Sequence, residues 1–280
     1  MFTKSSRVYF GIAALLLFAL GCASRGRPSG GEIDTTPPEI TGESPKNYST
    51  NFKGDEIRIY FNEYVKIKDL QKQLIISPPM DTQPQLSPQG SASKYITIKI
   101  KDTLADNTTY AFNFGNSIVD NNEENPFAYY RYVFSTGDTI DSLSVKGAVF
   151  DALSRNADPF VSVMLYELDT SYTDSIVYKQ KPKFITNTLD SLTTFSIDNI
   201  KEGTYKMVAL KEENSNFTFQ PKTDKIGFYE GEITVPTDSF YNITLFKEVT
   251  DFKVLKPSQI AEQRIQFPFE GQLETVEIEV

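Results

Sequence analysis

The chain has 280 residues, of which 39% are hydrophobic, 13% aromatic and 23% charged. That is enough apolar material for two small cores and an unusual composition for a disordered polymer. A net charge of -9 excludes the Lys- and Arg-rich face that neutralises phosphates, so no nucleic acid is expected as a partner. Histidine and tryptophan are absent, and Cys22 is the single cysteine. This excludes Ser-His-Asp and Cys-His catalysis and His-ligated zinc. No glycine-rich phosphate loop opens a helix. The expectation is a protein that is not an enzyme and has no cofactor. Carboxylate-only glycoside cleavage stays open in principle, but no pair of acids stands out for it.

Residues 1–21 carry Lys4 and Arg7 and no acid, and Val8 to Leu20 is an uncharged run. That run is shorter than the ~20 residues of a membrane-spanning helix and suits the apolar region of a secretory signal. Ala19-Leu20-Gly21-Cys22 follows it directly. A lone thiol makes no internal disulfide, and its place at the end of the apolar run resembles a bacterial lipobox, with Ala19 where a larger aliphatic residue is usual. The resemblance implies cleavage before Cys22 and lipid attachment to it, with a membrane as partner through that anchor. The alternative is an ordinary signal peptide with an incidental cysteine. Residues 22–38 are rich in Gly, Ser and Pro and are expected to form a flexible tether.

From Glu39 the pattern becomes short runs of period two, one face in and one face out. Ile57, Ile59 and Phe61 alternate with Arg58 and Tyr60. Ile96, Ile98 and Ile100 repeat the pattern, as do Tyr110, Phe112 and Phe114, and then Tyr130, Tyr132 and Phe134. Turn clusters such as Ser77-Pro78-Pro79 lie between them. After a break at Ser135-Thr136-Gly137-Asp138, a second series is expected: Val145–Phe150, Val161–Tyr166, Ile176–Tyr178, Phe184–Thr188, Phe195–Ile197, Tyr205–Leu210, Ile233–Val235 and Tyr241–Phe246. The predicted fold class is all-β, with two tandem β-sandwiches over residues 39–137 and 143–247. Residues 248–280 are too few to bury a core alone. They are expected to be edge strands or a truncated third domain.

The first sandwich resembles the SbsA-type bacterial Ig-like domain of S-layer-associated and surface proteins. The resemblance rests on Thr36-Pro-Pro-Glu-Ile, Ser44-Pro45, Ile59-Tyr-Phe-Asn-Glu-Tyr-Val65, Ile118-Val-Asp120 and Tyr132-Val-Phe-Ser-Thr-Gly137. The family's Asp-x-x-Gly-Asn turn is Asn121-Asn-Glu-Glu124 here. Val145 to Asp151, Val161 to Tyr166 and Phe195 to Ala209 resemble a carboxypeptidase-regulatory-like, prealbumin-type sandwich, with Thr194 in place of the usual Gly. The whole assembly resembles Bacteroidota envelope lipoproteins, which implies an address at the outer membrane and no reaction. Surface-bound members of that group carry acids after the cysteine, whereas Ala23-Ser-Arg-Gly-Arg27 is basic. A periplasm-facing anchor is therefore expected over a surface-exposed one.

Three sets of residues are candidates for sites. Asp120, Asn122, Glu123 and Glu124 form the densest oxygen cluster and a weak calcium candidate. Their spacing departs from the calcium-loop pattern, so a solvated turn without metal is the expectation. Tyr129, Tyr130 and Tyr132 offer rings for sugars, against the alternative of core packing. Asp-Ser/Thr followed by an aliphatic or Thr recurs six times among 18 Asp residues, about six times the frequency composition gives. The triplet resembles the O-glycosylation acceptor of Bacteroidota exported proteins, which implies glycans on Thr35, Thr103, Thr139, Ser142, Ser175 and Ser191. The alternative is a turn entering a strand. The functional expectation is a membrane-anchored envelope lipoprotein acting as spacer and adhesion or scaffold module for an envelope protein or glycan. The alternative is a glycan or small-ligand binding module serving an envelope enzyme or transporter.

Overall fold

Eight strands in chain order build the first sandwich: Ile40–Ser44 (β1), Glu56–Ile67 (β2), Ile75–Ser77 (β3), Gln85–Ser87 (β4), Ser93–Lys99 (β5), Thr109–Asn113 (β6), Ile118–Asp120 (β7) and Arg131–Ser135 (β8). The structure is a computed structural model that describes residues 31–154, 158–189, 192–249 and 252–271. One sheet runs β1-β2-β5-β4, with β7 taking over the far end of β2, and β3-β6-β8 faces it. The alternation seen in the sequence sets the inward faces. Ile57, Ile59, Phe61, Ile96 and Ile98 come from one sheet, and Phe112, Tyr132 and Phe134 from the other. Phe134 is the hub of this core, with ring centroids 4.2 Å from Phe52 and 5.5 Å from Tyr110. Such ring pairs add to what burial alone contributes.

The second sandwich follows with Leu143–Asp151 (β9), Ser162–Glu167 (β10), Phe184–Asn187 (β11), Thr194–Ile200 (β12), Gly203–Lys211 (β13), Lys225–Phe228 (β14), Ile233–Val235 (β15) and Phe240–Leu245 (β16). One sheet is β11-β10-β13-β14, with β15 on the end of β13, and the other is β12-β9-β16. The β9–β16 pair is parallel, so the first and last strands of this sandwich lie side by side. Val163, Leu165, Tyr205, Met207 and Ala209 face the inter-sheet core with Val145, Val149, Ile197 and Ile243. Gly147 is required where β9 runs between its neighbours, because a Cβ there would collide with the Tyr241 carbonyl oxygen and the Phe195 ring.

The outer face of the β11-β10-β13-β14 sheet is also buried. Met164, Tyr166, Ile185, Val208, Leu210 and Ile226 form a second apolar layer on it. Part of its cover is Asp174–Tyr178, which is a 3-10 turn. The expected strand at Ile176–Tyr178 is therefore corrected. Ile176 N–H closes back on the Thr173 carbonyl at 2.9 Å, and Val177 is pinned on the apolar layer with no neighbouring strand to extend it. β14 escaped the sequence reading because Gly227 interrupts its short run.

The tail holds Lys253–Val254 (β17), Ser258–Ala261 (β18), Arg264–Gln266 (β19) and Phe269–Glu270 (β20). β18 pairs with β19 and β17 with β20, making one nested ribbon. Among the described residues none of these strands joins a sandwich sheet, and no buried core forms. The described part of the tail is thus a ribbon that pairs with itself. Lys222 ties it back through Glu270 at 2.8 Å.

Candidate functional site

The sequence suggests two tandem sandwiches with a break between them, and the two share a surface. β3 is buried on both faces because its side chains alternate. Ile76 enters the first core, while Ile75 joins the outer apolar layer of the second sandwich. Ser77 points the same way as Ile75, and its Oγ accepts the Ile185 N–H at 3.1 Å. At the other side of the contact, Arg131 donates to Asp198 Oδ2 at 2.6 Å and to Asn199 Oδ1 at 2.8 Å. A bulge in β12 between Asp198 and Ile200, with Asn199 at φ 59°, turns that amide toward the first sandwich. Asn199 then donates to the Asp141 carbonyl at 2.8 Å. Lys181 adds a bond to the Met80 carbonyl at 2.7 Å. The stretch read as a break is itself fixed: Gly137 is buried, and the Thr136 hydroxyl bonds the Ala105 carbonyl at 2.7 Å. A cleft of about 400 Å³ remains between the sandwiches, with Tyr129, Arg131, Lys146 and Phe240 on its walls.

The acidic turn after β7 is not solvated at its centre. Asp120 is 2% exposed. Its Oδ1 accepts the N–H groups of Asn122 and Glu123 at 2.8 Å and of Glu124 at 3.1 Å, and its Oδ2 accepts Asn125 N–H at 2.8 Å. Burial alone would raise its pKa, but these four donors outweigh burial and hold the carboxyl below its ordinary value. The carboxylate organises the turn over residues 121–125. Glu124 is drawn away to Lys68 at 2.5 Å. Among the described residues no group of three His, Cys, Asp or Glu side chains comes together to hold a metal.

The three tyrosines do not form a sugar-stacking face. Tyr132 is fully buried and donates to the Pro45 carbonyl at 2.7 Å. Tyr130 is half-buried and donates to Glu43 at 2.5 Å, and only Tyr129 is exposed. Of the acceptor triplets, Thr35, Thr103, Thr139, Ser142 and Ser175 are all exposed. The first four lie outside helices and strands, and Ser175 sits in the 3-10 turn. Cys22 and Ser191 lie outside the described residues.

One feature was missed in the sequence: an aromatic groove of about 580 Å³ on the second sandwich. Val208 and Ile226 line it where the 3-10 turn leaves the outer apolar layer uncovered. On one side Tyr178 packs on Phe219, with centroids 5.5 Å apart. On the other Phe228 and Phe246 meet edge to face at 6.1 Å. Tyr178, Phe228 and Phe246 are 46%, 51% and 38% exposed. The groove also includes Asp174, Glu230 and Glu248, with Lys206 the one cation among its described residues. A signal was present: Phe246 falls on the outward phase set by Tyr241, Ile243 and Leu245.

Residues 34–136 match the bacterial Ig-like domain. That segment contains all eight strands of the first sandwich. Among solved structures, the N-terminal part of the bacterial S-layer protein SbsC is similar at 13% identity and a TM-score of 0.25, over 76% of this chain and 44% of that one. The major pilin subunit BcpA of Bacillus cereus is similar at 11% identity and a TM-score of 0.24, over 75% of this chain and 71% of that one. An L,D-transpeptidase from Mycobacterium smegmatis stands at 10% identity and 0.25, over 75% and 90%. This chain thus spans less than half of the S-layer structure. At these TM-scores none of the three carries over a role. No curated protein sequence matches the chain. The bacterial Ig-like match points to a cell-envelope or surface protein built around a structural module.

Proposed function

We propose that this protein is a non-catalytic envelope lipoprotein, anchored through Cys22, whose two sandwiches work as one stiff spacer that presents interaction surfaces. The observation that carries the reading is the shared surface: Ile75, Ser77 and Arg131 of the first sandwich are all committed to the second. Flexible connection is the default for tandem domains, and a packed apolar contact with fixed polar pairs removes it. The functional units are residues 39–137, largely covered by the bacterial Ig-like match over residues 34–136, and 143–247, of the regulatory-like, prealbumin type. The lipobox-like Ala19-Leu20-Gly21-Cys22 supports removal of residues 1–21, and the composition of 22–38 supports a flexible tether. The basic Arg25 and Arg27 support an anchor that faces the periplasm, and the resemblance to Bacteroidota envelope lipoproteins supports the outer membrane as its place. The exposed triplets at Thr35, Thr103, Thr139, Ser142 and Ser175 support O-glycans there, as the triplet at Ser191 does from sequence alone. Intact mass of the native protein tests the lipid and the glycans: a bare-chain mass removes both.

Protease treatment of intact cells, followed by blotting, tests the address. Survival until the outer membrane is opened fits the periplasmic reading, and loss from intact cells places the spacer on the surface. A second reading, a glycan or small-ligand module serving an envelope enzyme or transporter, is favoured by the exposed groove. An oligosaccharide array on the mature protein separates the two.

A further inference from the structure

We propose that the aromatic groove of the second sandwich captures a basic side chain, Arg or Lys, from an extended segment of a protein partner. This goes beyond the spacer reading and stands or falls separately from it. The apolar part of the argument is geometric. Three half-exposed rings, Tyr178, Phe228 and Phe246, rise around an apolar patch on an otherwise well-packed face. Rings held on opposite sides of a groove present π faces and edges that a guanidinium or ammonium stacks against, while the aliphatic stem of the same side chain covers the apolar patch.

The electrostatic part selects the sign of the partner. The lining carries the carboxylates of Asp174, Glu230 and Glu248. Its cation, Lys206, turns back to the main chain, bonding the Glu230 carbonyl at 2.7 Å and the Gly231 carbonyl at 3.1 Å. A positive group entering the groove therefore meets three acids and five aromatic side chains, counting Phe219 and Tyr172. The chain's net charge of -9 draws basic partners from a distance and opposes a second copy as the occupant. Residues 272–280 carry Glu274, Glu277 and Glu279 and no cation, so that segment has the wrong charge to occupy the groove. Neutral sugars could donate hydroxyls to the carboxylates but gain no net charge attraction, and the edge-to-face Phe228–Phe246 pair offers no flat platform for a pyranose ring.

The test is selection of a displayed random octapeptide library on the soluble mature chain, made with Cys22→Ser. Fluorescence anisotropy of the enriched peptides on wild type and variants follows. The expected result is enrichment of Arg or Lys next to apolar residues. Affinity should fall at least about tenfold with Phe228→Ala and with Glu230→Gln/Glu248→Gln, and weaken as salt rises. Phe228 is half-exposed, and circular dichroism of each variant checks that the fold is kept. Selection that enriches no peptide, or peptides without cations, overturns the proposal. So does binding that Phe228→Ala changes less than about twofold, or displacement by neutral oligosaccharides alone.

Discussion

Replacing Ile75 tests whether the sandwiches behave as one body. Ile75 is 5% exposed and lies in the apolar layer with Met164, Tyr166 and Leu210. Ile75→Ala removes three carbons, about 2.4 kcal/mol of transfer free energy at ~0.8 kcal/mol per methylene. The incompletely filled space adds to that, within a usual range of about 2–5 kcal/mol. About 3 kcal/mol, in the lower part of that range, is expected. For a unit of this size that lowers Tm by roughly 6–12 °C. Ile75→Asp goes further, because a carboxylate has no partner in that layer and the contact must open to hydrate it. Scanning calorimetry of the mature chain should show one two-state transition in the wild type and two separated transitions in Ile75→Asp. A single transition within about 2 °C of wild type in Ile75→Asp would refute the coupling. Ser77→Ala, which orphans the buried Ile185 N–H, should cost about 1–3 kcal/mol and shift the same transition.

Asp120→Ala should lower stability by about 2–4 kcal/mol, and Asp120→Asn by less, since the amide keeps one oxygen but turns a donor toward Asn125 N–H. Adding calcium at millimolar levels should leave Tm unmoved, because the Asp120 carboxylate already serves four backbone donors; a clear rise would restore the calcium reading. Lys225 bonds Asp151 at 2.6 Å and holds that carboxyl far below the usual carboxylate range. A depressed folded pKa stabilises fully above the unfolded value near 4 and loses that contribution as pH falls toward the folded one. Lys225→Met should therefore be less stable than wild type at pH 7 by about 1–3 kcal/mol, with the gap shrinking below pH 4 in urea titrations. Cys22→Ser should release the protein from the membrane fraction into the soluble envelope fraction, measured by detergent partitioning.

Much of the sandwich architecture was legible because it rests on local alternation. Ile57, Ile59 and Phe61 declare their own inward face, and so do Tyr241, Ile243 and Leu245. The shared surface was illegible for the complementary reason. Ile75-Ile76-Ser77 is a three-residue run whose two faces meet different sandwiches, and Ser77 finds its partner at Ile185, more than a hundred residues on. Apolar runs that are short enough fit a strand or a 3-10 turn equally well, and only the missing neighbour strand decided Ile176–Tyr178. The acidic loop was half legible. Its residue types marked a turn, but the burial of Asp120 depends on β7 crossing to the end of β2. The groove needed Phe228, Phe246 and Tyr178 to be brought together from separate segments.

The parallel pairing of β9 with β16 fixes an order of events as the chain is made from its N-terminus. The first sandwich is complete once Ser135 is out, and it can close on its own antiparallel pairs. β9 comes next, yet one of its edges stays open until Phe240–Leu245 arrives. Such a distant closure is slow, and an open apolar edge in the meantime invites wrong pairing. The β3 face, with Ile75 and Ser77 displayed, would by then be in place as a template for β11 and its sheet. The contact between the sandwiches would in this way also guide the folding of the second one.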